Sequence, residues 1–378
     1  METIKTQGFR YAGSKNKIIP SIIQIIKETG AKSVFDGFSG TTRVTQALKF
    51  KKYLVYSNDL NIWSNVFAKC FLLNEKPKEY YEDIINHLNN IKPRAGWFTE
   101  NYGGIVNTGK SSIQSDGKKK PWQIHNTMKL DSIRYEIELI SSDDIEKSVL
   151  LTSLILAMDS VDNTLGHHVS YLKDWSPRSY KNMIMKVPNF ILDDKKHKVF
   201  SDDMFNLLDK TKEVDLCYYD PPYGSNNDVT PTTRVRYNSY YHLWKTIILN
   251  ENPELFGSAN RRADSKDKFG VSIFEEYKKE NGRFIAETAL KNLIVGTKCE
   301  NILLSYSNNG RVSVDNIISL IRDNNKHLKV FTINYKDNAM KVMTKNGNWE
   351  NDKRVKNVEY LFLISNKSIK DKTSIFFN

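Results

Sequence analysis

The chain has 378 residues, 39% of them hydrophobic and 26% charged, with 56 lysines and arginines against 44 acids for a net charge of +12. That length can bury a full core as two domains, or as one domain with a large insertion, and the composition is that of a soluble globular protein. No apolar run approaches the roughly 20 residues that span a bilayer, the segment Met1-Glu2-Thr3-Ile4-Lys5-Thr6 lacks the apolar centre of a signal peptide, and the scattered Cys70, Cys217 and Cys299 predict a reduced, cytoplasmic setting without a zinc site. The basic surplus favours a polyanionic partner, because lysines and arginines that neutralise phosphates release counterions.

The first element follows Phe9-Arg10-Tyr11-Ala12-Gly13-Ser14-Lys15. Ile18, Ile19, Ile22, Ile23 and Ile26 recur at helical spacing and make one apolar face. Gly13 and Ser14 before that helix could turn backbone N–H groups toward an anion beside Lys15; the competing reading is a helix cap with a solvated lysine. Ser33-Val34-Phe35 enters a strand, Asp36 to Thr42 forms a turn holding Phe38 and Gly40, and Val44 to Leu48 continues as a helix. Strand, turn and helix are the first half of a nucleotide-binding βαβ unit. The turn is too poor in glycine for the dinucleotide motif, so a pyrophosphate cofactor is disfavoured, and Asp36 suits a ligand with an ammonium group. A second strand, 53–56, leads to Asp59, which lies 23 residues beyond Asp36. That is near the spacing at which an acid in such folds holds ribose hydroxyls.

From about 65 to 195 the strand signals fade. Helices are expected at 66–73, 79–91, 126–140 and 143–159, the last opened by a capping-box pattern of Asp143 with Glu146. This stretch, 66–194, reads as an inserted, mostly helical region. Within it Gly104 to Ser111 matches the P-loop expression, yet no buried strand precedes it and no helix follows, so we assign the match to chance. With Lys118, Lys119 and Lys120 the segment reads as a basic loop suited to phosphate contact.

Strands resume at 198–200, near Asp202, and at 214–219. The second runs into Asp220-Pro221-Pro222-Tyr223. Consecutive prolines cannot donate to a sheet ladder, so the strand stops and presents an acid, two rigid residues and an aromatic ring at its carboxyl end. Open α/β sheets bind their ligands there. The Asp220 carboxylate and the Pro221 carbonyl can accept from an exocyclic amine, and Tyr223 offers a face for a planar base. Beyond lie arginines interleaved with aromatics, Arg234 to Trp244, suited to phosphate contact and stacking. A polar stretch at 251–283 reads as a surface excursion. A strand at 301–306 follows, then two more at 330–335 and 358–364, with no helix apparent between them and so an antiparallel pair.

Four pieces, in order, resemble the D12-class (Dam-like) DNA adenine-N6 methyltransferases: Tyr11-Ala12-Gly13-Ser14-Lys15, Asp36-Gly37-Phe38-Ser39-Gly40, Asn58-Asp59, and Asp220 to Tyr223. Tyr11 stands for the more usual tryptophan, Ser14 for glycine, and Thr41-Thr42 where another glycine is common. The resemblance implies a Rossmann-like S-adenosylmethionine methyltransferase sheet, mostly parallel with an antiparallel C-terminal strand. It divides the chain into a catalytic domain, 1–65 and 195–378, and the inserted helical region, 66–194, as target recognition. It further implies S-adenosylmethionine as methyl donor, with Tyr11, Phe38 and Gly40 in its site, Lys15 and Asp36 at its methionyl end, Asp59 at its ribose and Asp202 at its adenine. Asp220 to Tyr223 become the catalytic motif, double-stranded DNA the substrate, and a cognate restriction endonuclease the biological partner. Cytosine-N4 methylation is the alternative among enzymes, since that amine presents the same two hydrogens; RNA or a protein glutamine is a more distant substrate. From another class, a catalytically inactive DNA-binding module would have no need of Lys15, Asp59 and Asp220.

Overall fold

The computed structural model describes residues 4–106, 109–224, 237–266, 272–324, 326–335 and 357–367. Seven strands form one sheet: β1 (Ser33–Asp36), β2 (Leu54–Asn58), β3 (Lys198–Phe200), β4 (Leu216–Tyr219), β5 (Asn301–Ser307), β6 (His327–Tyr335) and β7 (Asn357–Ser365). Their spatial order is 3-2-1-4-5-7-6. Pairings from β3 to β5 are all parallel, and β7 runs antiparallel to both β5 and β6. The order reverses between β1 and β4, so the ligand crevice of such a sheet opens at the carboxyl ends of those two strands.

Strand alternation explains the layers. Val34, Val55, Leu216, Tyr218 and Leu303 face one side and pack with α1 (Ile19–Thr29) and α2 (Arg43–Phe50). Phe35, Tyr56, Cys217, Tyr219 and Leu304 face the other, toward residues of α10 (Ile285–Gly296) and α11 (Val314–Asp323). Asp215 pins the switch-point register. Its Oδ2 accepts from Lys32 N at 2.7 Å, Ser33 N at 2.9 Å and Ser33 Oγ at 2.9 Å.

Between β2 and β3 the chain is mostly helical: α3 (Ile62–Ala68), α4 (Lys78–Asn90), α5 (Trp97–Tyr102), α6 (Ile124–Ile140) and α7 (Asp144–Ser160). The helix expected at 66–73 instead begins at Ile62 and widens into a π-helical turn, Lys69–Leu73. That turn's Phe71 and Leu72 carbonyls each accept from the buried Lys49 ammonium at 3.0 Å. At α7, Asp143 accepts from Glu146 N at 2.7 Å as the N-cap, while Glu146 Oε1 reaches back to Ser142 N at 3.1 Å. The reciprocal arm therefore closes one residue before the cap. Tyr241, Leu243, Trp244 and Ile247, at and within α9 (His242–Leu249), join the same core as α4, α6 and α7. The short α8 (Tyr237–Tyr240) leads into them.

Two sequence expectations change here. Of the lysine run, Lys120 is 4% exposed and pairs with Asp116 at 2.9 Å, and Lys118 donates to Asn260 Oδ1 at 2.7 Å. These two ammonium groups serve the loop's own structure and are not spread on a solvated tip. Likewise Arg262, expected on a surface excursion, is buried and pairs with Glu251 and, at 2.9 Å, with Asp264. Local composition marked both stretches as polar, but nearby carboxylates pair with the charges, Asp116 with Lys120 and Glu251 and Asp264 with Arg262, while Asn260 receives Lys118. Arg234 and Arg236 lie outside the described residues, as do Lys268 and part of the P-loop match, residues 107–108. The rest of that match lacks the strand–helix frame of a phosphate loop. Helix α5 and the two-residue strand Gly103–Gly104 precede it, and Ser111 and Ile113 continue it as isolated β-bridges. Lys110→Ala is accordingly expected to change no nucleotide affinity. A Lys110-dependent ATP hydrolysis, measured by phosphate release, would contradict this.

Candidate active site

The crevice above β1, β2 and β4 is a cavity of about 590 Å³. Tyr11, Phe38, Asp59, Asp202 and the four residues Asp220 to Tyr223 all line it. A smaller recess of about 50 Å³ adjoins it through Tyr11, Gly13, Phe38 and Asp220, and is bordered by Lys15, Asp36 and Gly40. The structure thus brings every sequence-predicted site residue to these two connected spaces.

Gly37 and Gly40 shape the turn after β1. A Cβ on Gly37 would lie 2.7 Å from the Tyr219 ring. Gly40 has φ +50°, and its N–H donates to Asp59 Oδ2 at 2.8 Å, tying the first loop to the end of β2. Thr42, standing where the family often carries glycine, accepts the left-handed φ of 59° as the N-cap of α2. Asp59 Oδ1 accepts from Asn61 N and Nδ2, both at 2.9 Å. These bonds hold the carboxylate at the cavity wall against a burial that raises its pKa.

Asp36 is 1% exposed. Its Oδ2 accepts from Thr45 Oγ1 at 2.6 Å, and its Oδ1 has no hydrogen-bond partner among the described residues. Burial pushes this carboxyl up to about 7; the Thr45 bond lowers it, and the charges of Asp220 and Asp59 raise it. An orphaned buried carboxylate oxygen is costly unless a donor arrives. An ammonium group entering the recess would supply one.

Lys15, read from sequence as a solvated lysine beside a helix cap or as a neighbour of a bound anion, is 5% exposed and lies between acids. Its Nζ is 3.1 Å from Asp220 Oδ1 and 2.7 Å from Glu359 Oε1, and it donates to the Tyr223 hydroxyl at 3.3 Å. Burial alone would lower the Lys15 pKa, but Asp220 and Glu359 together hold it well above its ordinary value. For Asp220, burial pushes the pKa up to about 7, with Lys15 lowering it and Glu359 raising it.

The Tyr223 ring rests on Tyr306, 5.0 Å between centroids, and its carbonyl accepts from Arg311 N at 2.8 Å. The turn after Asp220 is thereby locked to the loop after β5. Across the cavity stands Tyr237 on α8. Tyr237 leans on Tyr11, which stacks on Tyr241 at 4.9 Å; the Tyr241 hydroxyl accepts from Ala12 N at 2.7 Å. At the other end Phe205 stacks on Phe274 at 5.8 Å and 8°, while Phe38 meets Phe274 edge-on at 5.4 Å. Asp202 sits beside this aromatic wall, exposed, with Oδ1 accepting from Asp203 N and Asn206 Nδ2.

Sequence reasoning missed Glu359, Arg311, Phe205 and Phe274. Glu359 sits in the strand 358–364, where an acid amid apolar neighbours was the available signal. The other three had none, since each acquires its place from a distant partner.

Comparison with known proteins places the chain among modification methylases by similarity. The chain is 29% identical over 331 residues to Modification methylase StsI of Streptococcus sanguinis, covering 83% of this chain and 46% of that protein. It is 28% identical over 331 residues to Modification methylase LlaI of Lactococcus lactis subsp. lactis, covering 83% and 48%. It is 24% identical over 321 residues to Type II methyltransferase M.NlaIII of Neisseria lactamica, covering 81% and 86%. The chain spans about half the length of StsI and LlaI. Residues 11–302, which carry all four motifs and every residue lining the cavity and the recess, match one family across most of the chain, and the protein belongs to the D12 class N6 adenine-specific DNA methyltransferases.

Proposed function

We propose that the protein transfers a methyl group from S-adenosylmethionine to the N6 amine of an adenine flipped out of duplex DNA. The observation that carries this reading is the position of Asp220: a half-buried acid at the end of β4, on the wall shared by the two adjoining spaces. The residues present fit the cofactor. Asp36 Oδ1 awaits a donor such as its ammonium, Asp59 can accept from ribose hydroxyls, and the Phe38, Phe205 and Phe274 wall beside Asp202 suits a purine. When bound, the cofactor supplies an electrophilic methyl group on a sulfonium.

The chain's own residues do the rest. An adenine amine is a weak nucleophile because its lone pair is delocalised into the ring. Asp220 and the Pro221 carbonyl accept its two N–H bonds, favour a pyramidal nitrogen and stabilise the positive charge that develops there. With Lys15 held against Asp220 Oδ1 at 3.1 Å, Oδ2 is the oxygen left to the amine. A base inside a duplex is out of reach, so it must leave the stack. Tyr223 then supports one face. Tyr237, the aromatic of the 237–244 segment that lines the cavity, supports the other. Residues 66–194 serve target recognition on this reading. The names of the relatives favour the modification half of a restriction–modification pair as the setting.

The test is nucleoside mass spectrometry of duplex DNA incubated with the protein and S-adenosylmethionine. N6-methyladenine is the expected product. N4-methylcytosine would move the protein to the cytosine alternative, and no methylation with retained DNA binding would mark an inactive binding module.

A further inference from the structure

Glu359 is a buried acid that touches the site through Lys15 and has no part in methyl transfer as proposed. Glu359 lies on β7, the antiparallel strand, and is 0% exposed. Ser305 Oγ on β5 donates to its Oε1, the same oxygen that stands 2.7 Å from Lys15 Nζ. Lys15 in turn stands 3.1 Å from Asp220 Oδ1. One ammonium therefore bridges a fully buried carboxylate and a half-buried one, from strands separated in the sheet only by β5. A lysine on a flexible four-carbon stem could pair with Asp220 in several ways. Held also by a second acid, it presents one N–H direction to Asp220 Oδ1.

We infer that Glu359, held by Ser305, is a positioning residue that acts through Lys15 to set both the orientation and the charge of Asp220. This inference rests on the function proposed above. It goes beyond that function by making the antiparallel strand part of the machinery.

The electrostatics run the same way. Burial lifts Asp220 to about 7, Lys15 pulls it down and Glu359 pushes it further up. Around the cluster, the charge of Asp220 is also felt by Asp36, Tyr11, Tyr218, Tyr223 and Tyr237. The tyrosines, all raised by burial, stay neutral across the working range, and the charge of Asp220 in turn raises Asp36. Lys15 and Glu359 thus oppose each other on one carboxyl.

The experiment is a pH titration of the full chain without cofactor, with 13C at the aspartate and glutamate carboxyls and 15N at lysine Nζ, the Asp220 signal being assigned with Asp220→Asn. Glu359→Gln is expected to move the Asp220 midpoint to lower pH, and Lys15→Met to higher pH. The acidic limb of the single-turnover methylation rate should move in the same two directions. In the unaltered protein the Glu359 13Cδ and Lys15 15Nζ signals should shift with the Asp220 midpoint, which keeps the test decisive if a variant does not fold. An unmoved midpoint in folded Glu359→Gln, or Glu359 and Lys15 signals that ignore Asp220, overturns the inference. Because the titration needs no turnover, a chain that fails to methylate adenine would refute the proposed function alone.

Discussion

Asp220→Ala is expected to slow methyl transfer by on the order of 100- to 1000-fold, the usual cost of removing one preorganised partner of a developing charge. Its carboxylate interacts with the amine chiefly as positive charge grows on nitrogen, so its loss raises the barrier more than it weakens ground-state binding. Specific DNA binding should remain close to that of the parent. Removing the acid also leaves Lys15 with Glu359 and the Tyr223 hydroxyl, partners that still satisfy the ammonium within the core. The variant should therefore fold. Tyr223→Ala removes a stacking face worth roughly 1–3 kcal/mol and should act on the flipped base instead. A 2-aminopurine at the target position separates the two: bright and extrahelical with Asp220→Ala, dimmer with Tyr223→Ala. Near-parental turnover by Asp220→Ala on adenine-containing duplex would sink the mechanism.

Asp36→Asn is expected to pull cofactor affinity and stability in opposite directions. Loss of a charged acceptor for the cofactor ammonium costs about 1.5–3 kcal/mol, or roughly 10- to 150-fold in Kd by calorimetry. Stability should respond with the other sign. Burial first, then the charges of Asp220 and Asp59, lift this carboxyl to about 7 against the Thr45 hydrogen bond. An acid whose folded pKa exceeds its unfolded value, near 3.9, takes up a proton on folding. The stability so contributed is complete below about pH 4 and is lost as pH rises through about 7. Asparagine carries no such penalty. At pH 8 the variant should melt higher than the parent, on the order of 2 °C, and the gain should shrink toward pH 4. Unchanged cofactor affinity would remove Asp36 from the site. A gain that grows toward low pH would refute the burial account.

The sheet was legible in the sequence because its signals are local. Short β-branched and aromatic runs alternate between two buried layers, and Asp220 to Tyr223 ends β4 because prolines cannot continue a ladder. The antiparallel pairing of the last two strands followed from the lack of a helical pattern in the sequence between them. Asp36 and Asp59 could be singled out because each closes a strand at a loop, and Gly40 N–H to Asp59 Oδ2 shows the two loops meeting. The onset of α3, the reach of Glu146 past its cap, and the fates of Lys120 and Arg262 were not legible. A charged residue in a polar stretch reads alike whether water or a carboxylate receives it.

What the sequence by itself determined was therefore the strand ends and the residue types placed there: an acid after β1, an acid after β2, and an acid with two prolines and a tyrosine after β4. The tertiary structure alone decided which groups face one another. Strand order 3-2-1-4-5-7-6 puts β7 one strand away from β4 although 137 residues separate Tyr219 from Asn357 between them. Only that crossing lets Glu359 reach Lys15 and, through it, Asp220. Pairing of buried charges depends on distances of a few ångströms set by the whole sheet, and no local pattern in the chain encodes them.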